Sequence, residues 1–141
     1  MENATTYFKW ATAFIGGTLT GLLGGWDVAL QVLILFVILD YITGVIAAWY
    51  EKKLDSNVGL RGITKKVLIF VVIAVAVSLD KVIGQTILRS LAIFFYIANE
   101  GLSVLENLGR AGVAIPAPLK VALEQLKQKS EGEDKSANPH A

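Results

Sequence analysis

The stretch 28–48, VALQVLILFVILDYITGVIAA, decides how this chain is read. It has about the 20 residues that cross a bilayer at ~1.5 Å per residue. One ionisable residue, Asp40, lies inside it. Leu, Ile, Phe and Val fill thirteen of the positions between Val28 and Ile46. At about −0.3 to −0.6 kcal/mol apiece they contribute roughly −4 to −8 kcal/mol, against about +2.5 to +3.5 for the acid. The balance favours insertion. An acid kept at that cost faces a partner, a cavity or a pore rather than lipid.

The composition agrees. Of 141 residues, 54% are hydrophobic and 18% charged, more apolar surface than a soluble domain of this size can hide. There is no cysteine, which excludes disulfide and thiolate chemistry. The one histidine, His140, lies in a polar tail, so no histidine-based metal site or acid–base pair is expected. A net charge of +1 gives no reason to expect nucleic-acid binding. Lys9 followed by a Gly/Thr-rich stretch without an Ala-x-Ala site makes a poor signal peptide, so 1–141 reads as the mature chain.

Around the central span the expected fold is all-α: an integral membrane protein of three to four transmembrane helices, near 7–25, 26–50, 63–83 and 86–108, forming a membrane domain over 1–112. A short amphipathic helix over 113–129 and a disordered charged tail over 130–141 follow. The first segment is the weakest, with six large apolar residues diluted by Gly16, Gly17, Gly21, Gly24 and Gly25. Gly17, Gly21 and Gly25 recur at fourth positions, a spacing that lets membrane helices approach closely. Either this segment spans and packs on those glycines, or it lies loosely at the interface. Trp26, Trp49 and Tyr50 anchor the second helix, and from Asp40 a small and polar stripe runs through Thr43, Gly44, Ala47 and Glu51.

The loop 51–66 carries Lys52, Lys53, Arg61, Lys65 and Lys66 against Glu51 and Asp55, which places it on the cytoplasmic side. Lys65 and Lys66 then snorkel at one end of the third helix, while Asp80 and Lys81 sit near the outer interface. In the fourth helix Arg89, Tyr96, Asn99, Glu100, Ser103, Glu106 and Asn107 fall at helical spacing opposite Leu88, Leu91, Phe94, Phe95, Ala98, Leu102 and Leu105. This is a buried or pore-facing hydrophilic stripe, or else a helix that emerges into water from Asn99 onward. Ile115-Pro116-Ala117-Pro118 breaks and restarts the helix. Counting crossings from the basic loop puts the C-terminus in the cytoplasm.

No hydrolase, P-loop, zinc-protease or dinucleotide signature occurs, and an Asp40–Asp80 dyad is poor because the two acids differ in depth. Catalysis is not expected; no cofactor or metal is implied. Permeability or assembly remains.

Three motifs in order resemble the toxin-secretion/phage-lysis holin family: Asp40-Tyr41-Ile42-Thr43-Gly44; Ser56 to Lys66, reading S-x-x-G-x-x-G-x-x-K-K; and Asn99-Glu100-Gly101-Leu102-Ser103-Val104-Leu105-Glu106-Asn107 with Gly112 and Ile115-Pro116 beyond. The resemblance covers about residues 27 to 126. It implies a small multi-pass protein of the bacterial cytoplasmic membrane that accumulates in lipid. Such a protein then assembles as a high-order homo-oligomer into lesions, depolarising the membrane and passing an endolysin or a toxin. On this reading the polar stripes pair inside or between copies at first and line water after assembly. Two other functions fit the residues: a compact oligomeric ion channel or exporter with Asp40 and Glu100 as coupling groups, and a membrane scaffold recruiting partners through 115–129.

Overall fold

The structure, a computed structural model, describes residues 2–136. The described residues form five helices: α1 Glu2–Leu22, α2 Val28–Tyr50, α3 Ser56–Ile83, α4 Ile87–Arg110 and α5 Ala117–Ser136. The first four end in the same way. A backbone N–H beyond the helix returns to a carbonyl five residues earlier, from Gly25 to Thr20, Lys53 to Ala48, Gln85 to Asp80 and Val113 to Leu108. Residues 24, 52, 84 and 112 turn left-handed to allow it, three of them glycine and the fourth Lys52 at φ 58°.

The core is one apolar stripe from each of three helices, spaced three or four residues apart: Leu30, Leu33 and Val37 of α2, Ile69, Ile73 and Val77 of α3, Ile93 and Ile97 of α4. α4 is the hub, packing on α2, α3 and α5, while α2 and α3 meet each other little. Contacts near both ends of α2 and α4 show that these two helices run in the same direction, with α3 opposed to them. α2 and α4 are long and apolar enough to cross a membrane, and less than a quarter of the residues in either span are buried. A core helix of a soluble domain would be mostly covered. Here Leu35, Ile38, Ile42 and Ile46 of α2, with Val71, Val75 and Val82 of α3, form an exposed apolar skin that only lipid or another protein can cover.

The observed helices differ from the expected ones in several places. α3 begins at Ser56, two turns before residue 63, so the basic loop shrinks to 51–55. Gly59 packs beside the Tyr41 hydroxyl, and the helix opens on the Asp55 carbonyl. α1 starts at Glu2 and stops at Leu22, which puts Gly25 in the following turn at φ 115° rather than on a shared face with Gly17 and Gly21. α1 stands apart, touching α3 and burying little beyond Thr20, with Gly17 and Gly21 facing open space. α5 starts at Ala117 rather than 113 because Pro116 keeps the residue before it extended. It then continues through 130–136, where a disordered tail was expected. Residues 137–141 of that tail lie outside the described residues.

A candidate intramembrane polar cluster

Asp40 sits on α2 ten residues before Tyr50, about 15 Å along the axis. Glu100 is equally far from the end of α4, and α3 brings Lys66 to the same height. The three meet. Lys66 Nζ lies 2.5 Å from Asp40 Oδ2 and 2.6 Å from Glu100 Oε2, with all three side chains about 15% exposed or less. One ammonium thus holds two acids from two other helices, each of which is costly in hydrocarbon when alone.

Asp40 uses its second oxygen as well. Asn107 Nδ2 donates to Asp40 Oδ1 at 2.8 Å and reaches the Asp40 carbonyl and Thr43 Oγ1, each at 3.3 Å. Thr43 in turn donates to the Leu39 carbonyl at 2.7 Å. Gly44 lies beside this contact: a Cβ there would stand 3.5 Å from the Asn107 amide, an ordinary packing distance. Arg110 Nη1 donates to Asn107 Oδ1 at 3.3 Å, while its Nε and Nη2 fork onto Glu51 at 3.0 and 2.9 Å. That pair holds the Glu51 carboxyl below the usual carboxylate range. A continuous chain of charge and amide therefore runs Glu100–Lys66–Asp40–Asn107–Arg110–Glu51, from mid-bundle to the α2–α3 loop. Among the described residues no buried side-chain nitrogen or oxygen lacks a partner.

Beside this chain a partly open cleft of about 530 Å³ runs between α2, α3 and α4, lined by Asp40, Lys66, Ser103 and Asn107 within and by Lys53 and Asp55 near the loop. The cleft thus borders the ion pair between Asp40 and Lys66.

A second cluster closes the opposite end. Asp80, 5% exposed on the last turn of α3, accepts from the backbone N–H of Leu88 at 3.0 Å and of Arg89 at 2.9 Å. A neighbouring helix thus caps α4, whose own N-cap residue Thr86 makes no side-chain capping bond. Arg89 reaches out to the α1–α2 turn: Nε to the Leu23 carbonyl at 2.6 Å, Nη2 to the Gly25 carbonyl at 3.2 Å, Nη1 to Asp27 Oδ2 at 2.6 Å. Asp27 caps α2 through Leu30 N–H at 2.9 Å. The Arg89 guanidinium, and then that backbone bond, hold the Asp27 carboxyl below the usual range. Gly24 lets the guanidinium close in, since a Cβ there would come within 2.7 Å of Arg89.

Of the residues expected to form one stripe, the structure gathers Asp40, Thr43, Gly44, Glu100 and Asn107, with Ser103 on the cleft wall. Arg89 belongs to the other end. Tyr96 packs edge-to-face on Phe95, with ring centroids 5.3 Å apart, and lies against the apolar core. Asn99 is half-buried outside the cluster, and Glu106 is exposed. Lys66, expected to snorkel at one end of the third helix and left out of the stripe, instead bridges Asp40 and Glu100, where two unbalanced acids on neighbouring helices called for a cation. Asp27 left no signal beyond its place before an apolar run.

The comparisons with known proteins fit this picture. Residues 17–128 match the model of the bacteriophage holin family. The chain is 50% identical over 131 residues to an uncharacterised 14.9 kDa protein from the nagH 3' region of Clostridium perfringens, covering 92% of this chain and 99% of that one. It is 40% identical to a probable holin of Bacillus phage phi105, covering 77% of this chain and 84% of that protein. Identity to the uncharacterised protein YqxH of Bacillus subtilis is 37%, over 79% of this chain and 81% of that one. No solved structure matches. The chain belongs to the bacteriophage holin family, a family of non-enzymatic membrane proteins.

Proposed function

We propose that this protein is a holin that accumulates in the bacterial cytoplasmic membrane and assembles with further copies into lesions, depolarising the membrane and releasing an endolysin or a toxin. The observation that carries this reading is the bridge from Lys66 to Asp40 and Glu100 inside an apolar skin. With these charges paired internally, the protomer can stay in lipid without opening it.

In this reading α2, α3 and α4 are three crossings, with the 51–55 loop and the 111–116 turn cytoplasmic. α3 carries the uncharged run 67–79 between Lys66 and Asp80, and Lys52, Lys53 and Lys65 lie at the loop end of the bundle. α1, standing off the bundle with Tyr7, Phe8 and Trp10 exposed, suits the lipid–water interface.

The test is expression alone and together with an endolysin. Growth should stop abruptly after a lag, and a cytoplasmic reporter enzyme should appear outside only when the endolysin is present. Ion leakage without reporter release at any time would contradict the reading and indicate a selective channel.

A further inference from the structure

α5 folds back along α4 rather than resting at the membrane surface. A Cβ on Gly101, midway along α4, would come within 2.9 Å of both Leu123 of α5 and Phe36 of α2, so the absent side chain lets α5 seat closely. Three residues on, Leu126 packs against the core stripe of α2, α3 and α4. α5 therefore lies antiparallel to α4 and passes the height of Asp40 and Glu100. Its outward residues are mostly polar: Glu124, Gln125, Gln128, Lys129 and Glu131 are exposed and Lys120 pairs with Glu124 at 3.9 Å, while the exposed large apolar residues, Leu119 and Val121, lie in its first turns.

Hydrocarbon cannot cover that face. Each Lys or Glu costs a few kcal/mol at the centre of a bilayer, more in sum than the inward leucines return. The remaining surface is different, for the outer faces of α2 and α3 are apolar. The protomer thus has a lipid side and a water side. The water side is α5. Any neighbouring copy in the same membrane carries the same requirement, and a face with both signs of charge does not repel its own kind.

We propose that, in the assembled state, the outward face of α5 walls the aqueous path between copies of this chain while the Asp40–Lys66–Glu100 cluster stays closed inside each protomer. This rests on the lesion-forming reading above and names the surface it uses.

The chain has no cysteine, so single substitutions can carry spin labels without a background. The full-length protein with Glu124→Cys or Gln128→Cys is labelled and reconstituted in vesicles of anionic and zwitterionic phospholipid, with Val75→Cys on the apolar skin as control. Once the vesicles leak, labels at 124 and 128 should collide with a water-soluble nickel chelate and the label at 75 with oxygen alone. A Phe94→Cys/Gln128→Cys pair should keep its distance between sealed and leaking vesicles, because α5 stays docked. Nickel access with that distance lost would overturn the proposal and leave the lesion reading intact, α5 having moved into solution. Labels at 124 and 128 shielded from nickel in leaking vesicles would overturn it too. Vesicles sealed at every protein density would remove the lesion reading and this proposal together.

Discussion

Lys66 Nζ lies 2.6 Å from Glu100 Oε2 and at the same time bridges Asp40 on a third helix. Two acids that look like separate liabilities on α2 and α4 are thus one structural unit with a shared cation. Removing the cation should cost more than removing the whole unit. Lys66→Met leaves two carboxylates facing each other and is expected to destabilise the protein by about 3–5 kcal/mol. The triple variant Asp40→Asn/Lys66→Met/Glu100→Gln should recover most of that loss. Unfolding in mixed detergent checks both, and equal damage in the two variants would show that the bridge does not bind the helices.

Asn107 is buried, and its amide serves Asp40 and Thr43 together. Asn107→Leu should cost about 1–3 kcal/mol, the usual penalty for leaving buried polar partners unsatisfied. Gly44→Ala should do the reverse. Its added Cβ meets the Asn107 amide at an ordinary 3.5 Å, and relief of a helix-interior glycine is worth about 0.5–1 kcal/mol. The same unfolding measurement reads both signs.

Asp27 titrates outside the spans. Arg89 and the α2 N-terminus hold its carboxyl below the usual range, so the folded state prefers it ionised. The stability this adds is present above the ordinary carboxylate pKa and lost as pH falls through the lowered value. The α1–α2 junction should therefore stay closed from pH 7 to about 5 and loosen only below the usual carboxylate range. Trp26 fluorescence reports it in a Trp10→Phe/Trp49→Phe background. Asp27→Asn should abolish the acid transition, and a transition that persists would assign it to another group.

Two glycines separate folding from assembly. Gly21 faces open space, so Gly21→Leu should leave unfolding within about 0.5 kcal/mol of the parent. If α1 packs on a second copy, that variant should still shift the lysis time; unchanged timing would leave α1 at the interface. Gly101→Leu drives a side chain into Leu123 and Phe36, so it should undock α5 and expose residues 119–127 to protease.

The sequence made the apolar spans legible, because thirteen large apolar residues around one acid leave little choice of solvent. Asp40, Glu100 and Asn107 could be chosen as polar groups inside apolar helices for the same reason. Helical spacing gives a face but not a partner, so Arg89 was grouped with Glu100 although its long side chain turns to the α1–α2 turn. The depth of Lys66 depends on α3 starting at Ser56, and the apolar run from Val67 gives no sign of those first turns. The docking of α5 was not legible either. It depends on an empty space at Gly101 that only the folded pair of helices defines.

Lysis by this route needs crowding to convert closed protomers into an aqueous opening. Purified protein, reconstituted at rising density into vesicles loaded with a small dye and a folded enzyme, tests this directly. Both cargoes should stay inside at low density and escape together above a threshold. Escape of the dye alone, or vesicles that stay sealed while the protein remains monomeric at high density, would contradict it.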